Sequence, residues 1–260
     1  MRKLRPLIGL TADVETRDAG STETEYVLRA NYASAIIDAG GLPVILPHDP
    51  DLAALYVAQI DGLIVTGGLF DIHPIHYGET LTAPLKLKED RTDFELAMLD
   101  GGLMVDMPIM GICNGMQLLA VKLGGKLVQD IQRDIEGGIE HLPSPVPDKS
   151  AHGVALRQGS VLSDLAGVTT ARVNSLHHQA VVPANGYDVS ATSVEDGVAE
   201  AIEAKGRRFC VGVQWHPEYH TSTLDRALLD GFVAAAAQYT SQKTDPTAQR
   251  SSAKKRAVGV

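Results

Sequence analysis

The sequence predicts an α/β protein: a central, mostly parallel sheet covered by helices on both faces and extended by antiparallel strands. Three observations carry that prediction. Through the first half, short apolar runs alternate with stretches of helical periodicity, the rhythm of βαβ units. In the second half the runs shorten and fall between closely spaced turn signals, as antiparallel strands do. Between them, Met107–Gly124 (MPIMGICNGMQLLAVKLG) passes from a buried strand through a glycine-flanked cysteine into a helix.

Taken in order, Pro6–Thr11 reads as the first strand. Glu23–Ala39 follows as a helix, with Tyr26, Val27, Ala30, Ala33, Ile36 and Ile37 at helical spacing and a stop at Gly40-Gly41. Leu42–Pro47 is a strand, Asp51–Gln59 a short helix, and Gly62–Thr66 a strand that ends in Gly67-Gly68. Arg91–Val105 is a helix, Pro108–Ile112 a strand and Asn114–Leu123 a helix. Lys126–Ile131, His152–Gln158, Thr170–Val173, Gln179–Val182, Val189–Ser193, Ala199–Glu203 and Arg208–Gln214 are strand-like, with a Pro- and Gly-rich loop over Gly137–Lys149. Leu224–Tyr239 closes the domain as a helix. The domain is expected to span residues 1–242, followed by a polar, basic, weakly ordered tail over 243–260.

At 260 residues, 44% hydrophobic and 21% charged, the chain can bury a substantial single core. It has no apolar run of membrane-spanning length. Met1-Arg-Lys is followed by only a short apolar stretch before Asp13 and Glu15, which argues against a signal peptide. With only Cys113 and Cys210, a reducing, cytoplasmic setting is expected. The net charge is −9; the tail contributes +4 of its own, leaving −13 on the body and disfavouring nucleic acid as a partner. The glycine-rich turns match neither a phosphate-binding loop nor a dinucleotide fingerprint, so no nucleotide or other cofactor is expected.

Gly111-Ile112-Cys113-Asn114-Gly115 has the strand–turn–helix layout of a nucleophile elbow with a thiol in place of a hydroxyl. A helix N-terminus behind Cys113 favours its thiolate. Downstream, Phe209–Val213 leads into Gln214-Trp215-His216-Pro217-Glu218; residues two apart on a strand share a face, so Glu218 is expected to hold one nitrogen of His216 while the other serves Cys113. The amides of Gly68 and Asn114 are the expected oxyanion donors. Cys210 alternates within a strand and reads as core. Asp71, His73 and His76 share a loop but lack a fourth ligand, so no metal is expected there.

GICNGMQ, with TGG upstream and VQWHPE downstream, resembles the class I glutamine amidotransferases. GGLFDIHPIHYGE, RTDFELAML, GGKLVQDI, NSLHHQAV and DGVAEAIE are similar to their standalone γ-glutamyl-γ-aminobutyrate hydrolase subgroup. The resemblance implies a three-layer, flavodoxin-like fold and hydrolysis of a γ-glutamyl amide through a thioester on Cys113, in polyamine catabolism. It also implies substrate contacts from Gln117, His177 and Gln179, with His178 a weaker candidate. Two positions depart from the family pattern: Met116 stands where many members have His, and Asn114 where putrescine-pathway hydrolases have Arg. Both departures bear on which amine is released, and the acidic body favours a cationic one. The expected partner is a small γ-glutamyl substrate, with no membrane; a homodimer is left open. Two rival readings share the same motifs: a glutaminase subunit that feeds ammonia to a separate synthase, and a non-catalytic regulatory protein on the same fold.

Overall fold

A computed structural model describes residues 5–17, 20–82 and 84–244; the expected tail lies almost wholly outside them. The strands are β1 (Leu7–Leu10), β2 (Asp13–Thr16), β3 (Thr24–Val27), β4 (Leu42–Ile45), β5 (Gly62–Val65), β6 (Ile109–Ile112), β7 (Lys126–Val128), β8 (His152–Leu156), β9 (Thr170–Val173), β10 (Ala180–Val182), β11 (Tyr187–Ser193), β12 (Ala199–Ala204) and β13 (Cys210–Val213). The helices are α1 (Ala30–Asp38), α2 (Ala53–Gln59), α3 (Glu89–Met104), α4 (Asn114–Lys122), α5 (Ile131–Asp134), α6 (Val161–Ala166) and α7 (Thr223–Thr244).

Eleven strands form one sheet, in the order β4-β1-β5-β6-β13-β12-β11-β8-β9, with β10 branching from β12 and β7 from β10. The first five are mutually parallel. From β12 outward the pairings are antiparallel. This is the expected architecture. β1, β5, β6 and β13 are largely buried on both faces and so read as continuous apolar runs, whereas the edge strand β4 is mostly exposed. On one face, Ile8, Leu10, Ile64 and Val213 pack against Ile36 of α1 and Leu228 and Phe232 of α7. On the other, Leu63, Val65 and Ile109 pack against Val57 of α2, Phe94 and Met98 of α3 and Leu119 of α4.

Two segments depart from the sequence reading. The expected helix over Glu23–Ala39 is β3 followed by the shorter α1. Thr24-Glu25-Tyr26-Val27 is exposed at every position and pairs in antiparallel register with Asp13–Thr16, a hairpin whose Tyr26 and Val27 also fall on the helical repeat of α1. The strand expected over Lys126–Ile131 stops at Val128. Asp130 then caps α5, its carboxylate accepting the Arg133 amide at 3.0 Å. The short α6 was not read from the sequence, although Ser160 caps its start and Gly167, at φ 66°, ends it.

The glycines of the elbow provide space, not conformational freedom, since neither has a positive φ. A Cβ on Gly111 would lie 2.5 Å from the Gly115 carbonyl oxygen, and one on Gly115 would lie 2.0 Å from the carbonyl oxygen of Val65. α4 therefore seats directly on the ends of β5 and β6. Gly115→Ala, facing rigid backbone, is expected to destabilise the protein by about 3 kcal/mol. Equilibrium urea unfolding measures this; an unchanged midpoint would refute the close-approach argument.

Candidate active site

β6 lies between β5 and β13, parallel to both, with Val65 opposite Gly111 and Val213 opposite Ile112. The chain segments that leave these three strands therefore emerge side by side at the carboxyl edge, where parallel sheets bind ligands. They are Thr66-Gly67-Gly68, Cys113 and Gln214–Glu218.

Cys113 has φ 53° and ψ −110°, a conformation that costs a non-glycine residue about 1–3 kcal/mol. Its amide donates to the Val213 carbonyl at 2.8 Å, which holds the turn to β13. The sulfur lies 3.6 Å from the Leu176 carbonyl oxygen. His216 Nδ1 lies 2.8 Å from Glu218 Oε1, both side chains buried, so Nε2 is the nitrogen left for the thiol. The sequence reading brought this pair together on a strand; in fact β13 ends at Val213, and a 3-10 turn over Pro217–Tyr219 places Glu218 against His216. Burial works against the imidazolium. The charges of Glu218 and of the Cys113 thiolate outweigh it and push the His216 pKa up to about 10.

The Asn114 amide begins α4 and has no acceptor within the helix. The Gly67 amide is taken by the Tyr32 hydroxyl at 3.1 Å, which leaves Gly68, on the cavity wall with Cys113, as the other glycine amide of the turn. Arg91, 2% exposed, fixes that turn: its Nη2 donates to the carbonyls of Thr66 and Gly67, both at 3.0 Å, and its Nε to Glu95 Oε1 at 2.9 Å.

Two cavities meet at Cys113 and share Gly68, Leu69, Lys86 and Leu176 as a common wall. The inner one is bordered by Asn114, Gln117, His177, His178 and Gln179. Gln117 Nε2 donates to the Gln179 carbonyl at 3.3 Å and to Gln214 Oε1 at 3.2 Å. The Asn114 side chain donates to the Phe70 carbonyl at 2.8 Å. The outer cavity is bordered by Asp13, Glu15, Arg29, Tyr32, Lys88, Arg91 and His216.

The structure thus brings together Cys113, His216, Glu218, Gly68, Asn114, Gln117 and Gln179. His177 borders the inner cavity, yet both its nitrogens turn inward: Nδ1 bonds the Gln179 carbonyl at 2.9 Å and Nε2 lies 3.5 Å from Glu200. His178 pairs with Asp71 at 2.8 Å, and the His73 ring accepts the Ile75 amide, so the Asp71–His73–His76 loop is held by its own hydrogen bonds. Met116 is fully buried against Gly212 and Ile202 and borders neither cavity, so the expectation that it bears on the substrate pocket gives way to a packing role.

Three contributors were not identified in the sequence. Tyr32 joins the Gly67 amide to His216, its hydroxyl 3.5 Å from Nδ1; burial first, then the charges of Glu218 and Cys113, keep it a neutral phenol. Asn174 clamps the His216 backbone through two hydrogen bonds of 2.8 Å. Arg91 is the third. All three read in the sequence only as ordinary helix or loop residues.

Burial pushes the Cys210 thiol up to about 12, whereas Cys113 stands at a cavity wall beside an imidazolium. Iodoacetamide near neutral pH is therefore expected to alkylate Cys113 at least ~100-fold faster than Cys210. Peptide mass spectrometry over a time course measures the ratio, and equal labelling would contradict the assignment.

The sequence matches the peptidase C26 family over residues 6–218. A glutamine amidotransferase-like protein of Rickettsia prowazekii is 32% identical to it, over 90% of this chain and 99% of its own. The gamma-glutamyl-gamma-aminobutyrate hydrolase of Escherichia coli K12 is 34% identical, over 92% of this chain and 96% of its own. Among solved structures, the glutaminase domain of Trypanosoma brucei CTPS shares the fold, with a TM-score of 0.58 at 18% identity over 90% of this chain and 94% of that one. The family match runs from the first strand to the last residue of the Cys113–His216–Glu218 group, and the chain belongs to the peptidase C26 family of glutamine amidotransferase-like hydrolases.

Proposed function

We propose that this chain hydrolyses γ-glutamyl amides through a thioester on Cys113, and that the released amine carries a carboxylate of its own, as γ-aminobutyrate does. The observation that carries the reading is the position of the thiol between two cavities of different chemistry. The inner cavity, with the side-chain amides of Asn114, Gln117 and Gln179, suits the glutamyl group. The outer one takes the amine. There Lys88 is paired with Asp13 at 2.5 Å, and Arg91 with Glu95. Arg29 and Lys86 then outnumber Glu15 on this wall, with Asp71 acting on Lys86 from the side of the other cavity. This opposes the cationic amine expected from the acidic body, because charges lining the cavity act at shorter range than the overall charge. The name of the E. coli relative agrees with it.

The steps follow from the residues. The Cys113 thiolate adds to the γ-carbonyl carbon, and the amides of Gly68 and Asn114 hold the resulting oxyanion. The carbon–nitrogen bond breaks as His216 Nε2 gives its proton to the departing amine. A water entering the emptied outer cavity loses a proton to His216 and adds to the thioester carbonyl. The carbon–sulfur bond then breaks, releasing glutamate and restoring the thiolate. Glu218 keeps the imidazole oriented throughout and stabilises its charged form before the amine leaves and again after water is deprotonated.

Glutamate release from a panel of γ-glutamyl amides with anionic, neutral and cationic amines tests the reading on the purified chain. Anionic amines are expected to give the highest kcat/KM, and Lys86→Glu to move the preference toward cationic ones by about ten-fold. No turnover without an added synthase subunit would favour the ammonia-delivering alternative instead. The pH profile is a second check. Acylation needs protonated His216, so kcat/KM is expected to fall as pH rises through about 10. In Glu218→Gln the charge that raises this pKa is gone, and the alkaline limb is expected about one to two units lower. A limb that stays in place would remove Glu218 from this role.

A further inference from the structure

Behind the inner cavity, four residues from four separate segments meet: His141 from the loop after α5, His152 at the start of β8, His177 from the loop after β9, and Glu200 on β12. All are buried, at 2%, 2%, 4% and 0% exposure. The hydrogen bonds around each ring fix where its proton sits. His141 Nε2 faces Asp196 Oδ2 at 2.9 Å, His152 Nδ1 the Gly153 carbonyl at 3.2 Å, and His177 Nδ1 the Gln179 carbonyl at 2.9 Å. Each of these partners can only accept, so each ring carries its proton on that side. The lone pairs left over are on His141 Nδ1, His152 Nε2 and His177 Nε2. All three point at Glu200 Oε1, at 3.6, 3.4 and 3.5 Å. Ser175, 3.3 Å from His141 Nδ1, gives its own proton to the His141 carbonyl at 2.9 Å and so cannot serve that nitrogen.

Three lone pairs and a carboxylate facing one another repel unless something positive lies among them. Charged N–H···O hydrogen bonds would draw these atoms to about 2.8 Å. Instead, His152 Nε2, His177 Nε2 and both Glu200 oxygens make no hydrogen bond among the described residues. All four ligand atoms lie within 4.8 Å of one another. The three nitrogen–Glu200 Oε1 separations of 3.4 to 3.6 Å are close to the edge of a zinc tetrahedron, about 3.4 Å for metal–nitrogen bonds of 2.1 Å.

We propose that His141 Nδ1, His152 Nε2, His177 Nε2 and Glu200 Oε1 form a closed, tetrahedral site for a divalent transition metal ion of the zinc class. Imidazole donors disfavour calcium and magnesium. The negative charges of Glu200 and of Asp196 together balance a divalent ion. The Asp196–His141 contact and the two carbonyl contacts are the outer-shell bonds that orient metal-bound imidazoles. With four protein ligands and no access to solvent, the ion is structural. It pins the 174–179 loop, which supplies the Leu176 carbonyl to the thiol, the Asn174 clamp to His216, and Gln179 to the inner cavity. The proposal stands apart from the hydrolase reading.

The test uses the full-length chain without an affinity tag, freed of loosely held ions on a chelating resin. Elemental analysis is expected to find about one transition-metal ion per chain. Protein stripped with a strong chelator and given Co2+ is expected to show the intense visible bands of tetrahedral cobalt, and Zn2+ to raise its melting temperature. Cys113→Ala is expected to keep the ion, Asp196→Asn to bind it about 10- to 100-fold more weakly, and His152→Gln and Glu200→Gln to lose it. If the last two do not fold, the stoichiometry and cobalt spectrum of the unaltered chain decide. Metal below about one ion per ten chains, with neither cobalt bands nor a Zn2+-dependent shift, would overturn the site. So would loss of the ion in Cys113→Ala, which would place it at the thiol.

Discussion

The backbone bend at Cys113 is the constraint on which the rest of the molecule depends. A β6 that ran straight on would bury the thiol in the sheet. A looser turn would carry it away from His216. The sharp turn is held from both sides: β13 accepts the Cys113 amide, and α4 presses so closely on β5 and β6 that only hydrogen fits at positions 111 and 115. The pairing of β6 with β5 and β13 then determines which other segments can reach the thiol. A one-residue shift in either pairing would move the Gly67-Gly68 turn or the imidazole away from the thiol.

Much of this was legible because it is written locally. The parallel strands are apolar runs with no polar face, and the elbow's two glycines, the TGG turn and the HPE segment each declare themselves within a few residues. What could not be read depends on distance along the chain. Tyr32, Arg91 and Asn174 look like ordinary residues of a helix or loop until the fold lays them against Gly67, Thr66 and His216. The β2–β3 hairpin was hidden for another reason. Its apolar residues coincide with the helical repeat of α1, and its exposed surface leaves no burial pattern to separate the two. Met116 shows the opposite error: its place beside the nucleophile suggested a substrate contact, but the turn of α4 directs it into the sheet.

The histidine–glutamate cluster is linked to the thiol through the same loop. His141, His152, His177 and Glu200 are spaced too irregularly to form a motif, yet one turn of loop connects His177 to the carbonyl beside the thiol and to Gln179. The loop that follows β9 is thus anchored at one end through Asn174 to the His216 backbone and at the other through His177 to the buried core. A segment with no regular secondary structure gains a fixed shape from its polar contacts, and the inner cavity inherits that shape.

Every residue of α4 from Asn114 to Val121 is buried. A helix with no solvent face has no position at which change is neutral, so drift in a descendant of this chain would be filtered there by packing before any selection on activity. The outer cavity is different: Glu15, Arg29 and Lys86 sit at its exposed rim. Divergence in what the cavity accepts is therefore channelled to that rim, while the elbow is inherited as an indivisible unit.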